Sequence, residues 1–189
     1  MKSPPTFTQH RLPTARLLGK PYGPEDFSFL EELFTDRRVM KTLSEDGETF
    51  AHERIEEIHQ GFLRHWLRYR FGVWVFELAT GPSDDKIGYC GERYHGFEGR
   101  CEVEIFYSVH PDHWSKGYAS EMVQAVLAYG REQHGIDDVV GISVPSNAAS
   151  RRVMVKNGFK YERDLFQDDQ VSVLYRYCDP VEKHERKLG

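Results

Sequence analysis

Residues 104–122 read EIFYSVHPDHWSKGYASEM, and this run carries the strongest structural signal in the chain. Its first six residues predict a buried strand, which ends at His110-Pro111-Asp112. From Gly117 the period becomes helical, because apolar residues recur at spacings of three and four. We therefore predict a strand over Glu102–Val109, a short loop, and a helix that begins at Gly117.

The start of this helix is a candidate anion site. About four backbone N–H groups at a helix N-terminus lack partners within the helix and carry partial positive charge. Gly117 and Ala119 let a ligand approach this backbone closely, and Lys116 adds a full charge. The spacings of a Walker loop and of a dinucleotide fingerprint are both missing. The residues predict a phosphate site, although an ordinary helix start explains them equally well.

Two runs give the chain a family resemblance. Trp114–Ala119 resembles the acetyl-CoA pyrophosphate loop of the GNAT N-acetyltransferase superfamily, in the branch that includes the ribosomal-protein N-terminal acetyltransferases. Trp114 replaces the family's usual Gln or Arg, and Ser115 stands where this branch has glycine. Asn147–Phe159 is similar to the branch's Asn-x-x-Ser helix, which ends in Lys-x-Gly-Phe. Weaker likenesses extend the match toward the N-terminus, at Arg16–Leu18, Pro24–Asp26 and Arg38–Met40.

The resemblance implies an α/β (α+β) fold with a mixed, mostly antiparallel sheet of about six to seven strands and about four helices. The other patterns agree with a single domain over residues 14–180. Helices are predicted from about residue 24, over 48–68 and over 147–156. Strands are predicted over 71–78, from 86, and over 138–144, 159–164 and 171–178. We expect residues 1–13 and 181–189 to be flexible ends.

Acetyl-CoA is the cosubstrate that the resemblance implies. Backbone groups around Ser108 and Val109 would pair with the pantetheine arm between two splayed strands, and a main-chain N–H there would polarise the thioester carbonyl. The expected cosubstrate-binding residues are Ser108, Val109, Trp114, Ser115, Lys116, Gly117, Tyr118, Ala119, Ser120, Asn147 and Ser150.

The expected catalytic residues are Glu104, Asn147 and Ser150. Glu104 matches the branch's strand glutamate and is the candidate base, unless it only binds the amine or faces solvent; Glu102 is the alternative. Asn147 binds the pantetheine or the amine, or merely caps its helix. Ser150 hydrogen-bonds the leaving sulfur or only contacts the cosubstrate, and Tyr107 is another donor. Many family members carry a tyrosine where this chain has Met154.

Four aromatic residues admit two interpretations. Phe62, Trp66 and Tyr69, together with Trp74, form either the wall of an acceptor pocket or ordinary core. His110 and His113 suggest a metal, but the flanking sequence has no metal-binding pattern, so we expect none.

The amino-acid composition excludes some classes of binding partner. The 189 residues include 25 Lys plus Arg and 30 Asp plus Glu, and a net charge of -5 argues against nucleic-acid binding. No run approaches the roughly 20 apolar residues that cross a bilayer. Three cysteines without a Cys-x-x-Cys pair favour a reduced, cytoplasmic protein. We expect a monomer or homodimer.

The predicted function is acetyl transfer from acetyl-CoA to a primary amine, either a protein N-terminus or a small molecule, by direct attack in a ternary complex. Two alternatives remain open. One is a non-catalytic acyl-CoA-binding or regulatory module. The other is an acyltransferase that uses a longer acyl-CoA.

Overall fold

The computed structural model describes residues 10–43, 46–80, 85–167 and 170–178. Within them the eight strands form one sheet, in the order β1-β2-β3-β4-β5-β6-β8-β7. The elements are β1 (Leu12–Pro13), β2 (Leu17–Pro21), α1 (Phe27–Thr35), α2 (Arg37–Met40), α3 (His52–Tyr69), β3 (Val73–Leu78), β4 (Lys86–Phe97), β5 (Arg100–Val109), α4 (Tyr118–His134), β6 (Asp138–Ser143), α5 (Ala148–Lys156), β7 (Lys160–Gln167) and β8 (Gln170–Cys178).

The predicted fold class is confirmed. Each pair of neighbouring strands is antiparallel except β5 and β6, which run parallel. The described strands number eight rather than six or seven, and α2 adds a fifth, four-residue helix. Strand β2 was not predicted, because its five residues, LLGKP, include glycine and proline, which are depleted in strands.

Two apolar clusters cover the two faces of the sheet. Strand β3 explains the division, since successive side chains of a strand point to opposite faces. Trp74 and Phe76 pack into the cluster that includes residues of α4, whereas Val73 and Val75 pack into the cluster beneath α1 and α3. Both faces of β3 are therefore buried, and its sequence is apolar without alternation.

The sheet opens between β5 and β6. The two strands pair only at Glu104 and Val140. Beyond that position they have no paired residues, and we call this opening the strand gap. The strand gap places the end of β5, the start of α4 and the start of α5 around one space.

The sheet begins before the predicted start of the domain. Strand β1 pairs Leu12 with Gly19 and thus precedes residue 14, where the domain was predicted to begin. Most of the two predicted flexible ends, residues 1–9 and 181–189, lies outside the described residues. The boundary at 14–180 stays a prediction.

None of the helices in the described ranges is long and apolar enough to cross a membrane.

Candidate active site

A cavity of about 770 Å³ opens at the strand gap. Its walls come from α1, α3, β4, β5, β6, β8, α5, the segment before α4 and the first residues of α4. It is lined by every residue predicted for the site except Lys116, namely Glu104, Ser108, Val109, Trp114, Ser115, Gly117, Tyr118, Ala119, Ser120, Asn147 and Ser150. Residues that were proposed from two separate sequence runs therefore meet in one space.

The loop before α4 has a left-handed backbone at two positions. We name Trp114–Ser120 the phosphate loop. Ser115 has a φ of 63° and Gly117 a φ of 81°, a region that glycine adopts readily and serine does not. The first helical hydrogen bond runs from Glu121 N–H to the Gly117 carbonyl. Among the described residues, none accepts from the backbone N–H groups of residues 115–120, so these donors are available to an anion.

Side chains fix the phosphate loop from both ends. The Trp114 indole Nε1–H donates to the Val109 carbonyl at 2.6 Å, which ties the loop to the end of β5. Lys116 Nζ donates to the Asp112 carbonyl at 3.0 Å, so its charge lies against the preceding turn and not in the cavity wall. The Ser120 hydroxyl accepts from Asn157 Nδ2 at 2.9 Å, which joins α4 to the end of α5.

Arg16 contacts the phosphate loop, and the sequence did not reveal this contact. Its Nη1 donates to the Lys116 carbonyl at 2.9 Å, while Nε and Nη2 both lie 2.7 Å from Glu121 Oε2. Its guanidinium also lies 4.6 Å from the centre of the Tyr118 ring. Arg16 therefore holds the phosphate loop in place. No local pattern could reveal this, because the partners are about a hundred residues away along the chain.

The backbone of β5 faces the strand gap at alternate residues. His110 N–H donates to the Ile87 carbonyl in β4, and Val109 is registered against Gly88. By the alternation of an antiparallel pair, the backbone of Ser108 also faces β4, whereas Tyr107 and Val109 face the gap. The extended-chain pairing expected for Ser108 and Val109 is thus available at Tyr107 and Val109.

Glu104 is a buried carboxylate held by two basic side chains. Its Oε2 accepts from Arg93 Nε and Nη2, both at 2.8 Å, and lies 2.7 Å from His95 Nδ1. Burial alone would raise the pKa of Glu104, but the His95 hydrogen bond and the Arg93 charge outweigh it and hold the pKa below its ordinary value. A carboxylate with a lowered pKa is a weak base and a good hydrogen-bond acceptor.

Glu102, the alternative base, lies outside the cavity wall. Its carboxylate is 3.2 Å from Arg176 Nη2. Glu102 and Glu104 do point to the same side of β5, as the strand alternation predicts. The Glu102 carboxylate, however, is ion-paired with Arg176 of β8.

Asn147 caps α5, which is the simpler of the two roles that the sequence allows. Its Oδ1 accepts from Ser150 N–H at 2.9 Å, and its Nδ2 donates to the Thr42 carbonyl at 2.8 Å. Both ends of the amide are thus used within the protein. Asn147 joins α5 to the segment after α2 while also lining the cavity.

Tyr107 and Ser150 form a hydroxyl pair across the strand gap. The Tyr107 hydroxyl lies 3.0 Å from Ser150 Oγ and donates to the Ser150 carbonyl at 3.1 Å. Burial raises the pKa of Tyr107, so the phenol keeps its proton. The pair places a proton donor on the cavity wall even though Met154 cannot donate.

The far end of the cavity is aromatic. We call it the acceptor compartment. The rings are in mutual contact, with centroids 5.3 Å apart for Phe34 and Phe50 and 5.5 Å apart for Phe62 and Phe106. Its apolar lining residues are Phe34, Phe50, Ile58, Phe62, Tyr89 and Phe106.

The four aromatic residues singled out in the sequence separate into two groups. Phe62 lines the acceptor compartment. Trp66 and Trp74 are core residues, 2% and 1% exposed, with their rings perpendicular and 5.3 Å apart. Tyr69 packs edge-on against Tyr94, away from the cavity.

The two loop histidines face acidic side chains. His110 Nε2 lies 3.3 Å from Glu32 Oε1, and His113 Nε2 lies 3.5 Å from Asp85 Oδ1. In the part of the chain that the structure describes, no group of three His, Cys, Asp or Glu is arranged to hold a metal ion.

Comparison with known proteins agrees with this geometry. A family model described as "Acetyltransferase (GNAT) domain" matches residues 16–160. The uncharacterized N-acetyltransferase YnaD of Bacillus subtilis strain 168 is 29% identical over 149 residues, which cover 79% of this chain and 82% of that protein.

Two solved structures share the fold but differ in the acceptor they are named for. The spermidine N-acetyltransferase of Vibrio cholerae, in complex with CoA and spermine, has a TM-score of 0.68 at 17% identity and covers 86% of this chain and 95% of its own. An acetyl transferase of Salmonella typhimurium, which modifies the N-terminal serine of ribosomal protein L7/L12, has a TM-score of 0.71 at 14% identity and covers 90% of this chain and 99% of its own. The fold alone therefore does not specify the acceptor.

Proposed function

The chain belongs to the GNAT acetyltransferase family and is an acetyl-CoA-dependent N-acetyltransferase, and we propose that it moves the acetyl group to a primary amine by direct attack in a ternary complex. The observation that carries this proposal is the phosphate loop. Its left-handed residues and unpaired N–H groups open into the same cavity as the strand gap.

The phosphate loop would bind the pyrophosphate of acetyl-CoA through the backbone N–H groups of residues 115–120. Lys116 would contribute its backbone N–H, since its ammonium group is bonded to the Asp112 carbonyl. Gly117 has no side chain to obstruct this approach, and Arg16 keeps the loop in its conformation.

The strand gap would hold the pantetheine arm. Backbone groups of Tyr107 and Val109 face it, and the Val109 carbonyl already accepts from Trp114. The Val109 N–H would polarise the thioester carbonyl, because a fixed donor stabilises the oxyanion that forms on attack.

The remaining groups would orient the amine and donate a hydrogen bond to the leaving thiolate. The amine nitrogen attacks the carbonyl carbon, the carbon–sulfur bond breaks, and the Tyr107–Ser150 pair would supply a hydrogen bond to the leaving thiolate. At pH 7 an α-amine loses its proton at a cost of about 1–1.4 kcal/mol, against about 4.6 kcal/mol for a lysine amine. Glu104 would therefore orient the amine, and an α-amine would need no strong base. Asn147 would position α5 and Ser150.

The test is a steady-state assay of CoA release with acetyl-CoA and a panel of peptides and small amines, followed by mass spectrometry of the modified nitrogen. We expect CoA release that depends on the amine. Parallel assays with propionyl- and succinyl-CoA decide whether a longer acyl chain is preferred. Binding of acetyl-CoA without turnover on any amine would contradict the proposal. The cytoplasmic location and the choice between monomer and homodimer stay predictions.

A further inference from the structure

The acceptor compartment is apolar over most of its surface. Phe34, Phe62 and Tyr89 are between 4% and 6% exposed, so their rings are fixed by the core and only one side reaches the cavity. Burial raises the pKa of Tyr89, and its phenol stays neutral. Such a surface favours an acceptor that places an aromatic or branched apolar group beside its amine.

The charged side chains of the compartment are held in ion pairs, Arg93 with Glu104 and Arg54 with Glu57. Arg54 and Arg93 line it, and Glu104 is the only acidic side chain among the described residues of the wall. Glu104 is itself paired with Arg93 and His95. A polyamine carries several positive charges, and the one carboxylate among the described wall residues is already held by Arg93 and His95. This compartment is therefore unfavourable for a polyamine.

Arg93 and Glu104 present opposite charges side by side. Arg93 uses Nε and Nη2 for Glu104 Oε2, and its guanidinium lies 4.5 Å from the centre of the Phe106 ring. Within the described parts of the chain, Arg93 Nη1 has no acceptor and Glu104 Oε1 has no donor. One donor and one acceptor thus remain on adjacent side chains next to an aromatic surface.

We propose that the acceptor is a free α-amino acid with an aromatic or branched apolar side chain, a claim that rests on the proposed function. Its ammonium group would lie at Glu104 Oε1 and its carboxylate at Arg93 Nη1. Its side chain would pack against Phe62 and Phe106. In an α-amino acid the two charged groups are attached to one carbon, which matches the adjacent donor and acceptor of the site.

The reaction balances without a further reactant. The bound ammonium group releases one proton to solvent, at the modest cost of an α-amine near neutral pH. The neutral nitrogen forms a bond to the acetyl carbon while the carbon–sulfur bond breaks. The nitrogen then loses its second proton, and the thiolate takes one proton through the Tyr107–Ser150 pair. The products are an N-acetyl amino acid, CoA as the thiol, and one proton.

The experiment compares matched acceptors at a fixed, saturating concentration of acetyl-CoA. Phenylalanine and leucine are compared with serine to test the apolar group, and phenylalanine with phenylalaninamide to test the carboxylate. Spermidine and a peptide with N-terminal serine represent the other acceptor classes. We expect kcat/KM for phenylalanine to exceed that for serine and for phenylalaninamide by roughly tenfold each.

Substitution of Arg93 tests whether this side chain binds the carboxylate of the amino acid. Arg93→Met should lower kcat/KM for phenylalanine by roughly tenfold but change kcat/KM for phenylalaninamide much less, because only the first substrate has the anionic group. Arg64→Met is the matched control, since Arg64 is exposed on α3 and does not line the cavity. Equal losses for both substrates would show that Arg93 acts only through Glu104, and would remove the carboxylate contact from the proposal.

The outcomes distinguish a wrong amino-acid assignment from a wrong proposed function. Fastest turnover with spermidine or with the N-terminal serine peptide would overturn the amino-acid assignment and leave the acetyltransferase proposal intact. Turnover of phenylalaninamide as fast as phenylalanine would do the same. Acetyl-CoA binding without turnover on any amine would overturn the proposed function and this inference together.

Discussion

The guanidinium of Arg16 lies 2.7 Å from the carboxylate of Glu121, and this contact joins the segment before β2 to the first turn of α4. The same guanidinium donates to the Lys116 carbonyl. The conformation of the phosphate loop therefore depends on a residue about a hundred positions earlier in the chain.

Arg16→Met should raise the KM for acetyl-CoA by roughly fivefold, because the phosphate loop loses a charge-assisted hydrogen bond at Lys116. The kcat and the KM for the amine should change little. Initial-rate kinetics in both substrates check this, with the thermal midpoint as a test of folding and Arg64→Met as the control. A KM for acetyl-CoA equal to that of the parent would show that the loop holds its shape without Arg16.

Gly117→Val should raise the KM for acetyl-CoA by about tenfold or more. A left-handed backbone costs a residue with a Cβ about 1–2 kcal/mol, so the valine shifts the loop away from its binding conformation. Gly117→Ala should show a smaller effect of the same kind. Gly61→Ala, at an α3 position where a Cβ meets open space, is the control and should leave the KM unchanged.

Tyr107→Phe should lower kcat by about tenfold and leave the KM for acetyl-CoA nearly unchanged, because it removes a donor near the leaving sulfur. Ser150→Ala should have a similar effect. The double variant should lose little more than either single one, since the two hydroxyls lie 3.0 Å apart and act together. Full kcat in both single variants would exclude the pair from proton transfer.

Glu104→Gln should raise the KM for the amine without moving the inflection of kcat/KM against pH. The pKa of Glu104 is held below its ordinary value, so the carboxylate stays charged throughout pH 6–9 and cannot produce an inflection there. The rise of kcat/KM with pH should follow the amine of the acceptor. A profile that loses or shifts its inflection in the variant would identify Glu104 as a general base.

Glu92→Gln should remove a pH dependence of stability. Burial raises the pKa of Glu92 from 4.5 to about 8, and the side chain packs against Gly130 of α4. The folded chain keeps this proton up to about pH 8, whereas the unfolded chain releases it near pH 4.5. Stability therefore falls as pH rises between these values and levels off above the higher one.

Urea unfolding at pH 6, 7, 8 and 9 measures this effect. The parent should lose up to a few kcal/mol of unfolding free energy over the range, and Glu92→Gln should lose less. Identical slopes for the two proteins would show that Glu92 is ionised in the folded state at neutral pH.

The strongly periodic segments of the fold were predictable. The helix predicted from Gly117 is α4, Tyr118–His134, and the helix predicted over 147–156 is α5 with Asn147 as its cap. Each combines an apolar stripe with a local end signal. Strand β2 lacks both, and the pairing with β3 that stabilises it is non-local.

The candidate site was predictable where its residues lie in one run. The phosphate loop is such a run, whereas the partners of Glu104 depend on the register of a hairpin. Arg93 lies directly opposite Glu104 in β4, and only that register shows that the predicted base is an ion-paired carboxylate. The role of Arg16 depends on a contact with a residue 100 positions later in the sequence, which no local pattern shows.

The single pair between Glu104 and Val140 is the one position where the backbone of β1–β5 is registered with that of β6–β8 in the described chain. A thioester lying along the strand gap would add hydrogen bonds that the polypeptide does not itself make there. Bound acetyl-CoA would then connect these two parts of the sheet. The enzyme would be most rigid with acetyl-CoA bound and most flexible after CoA leaves.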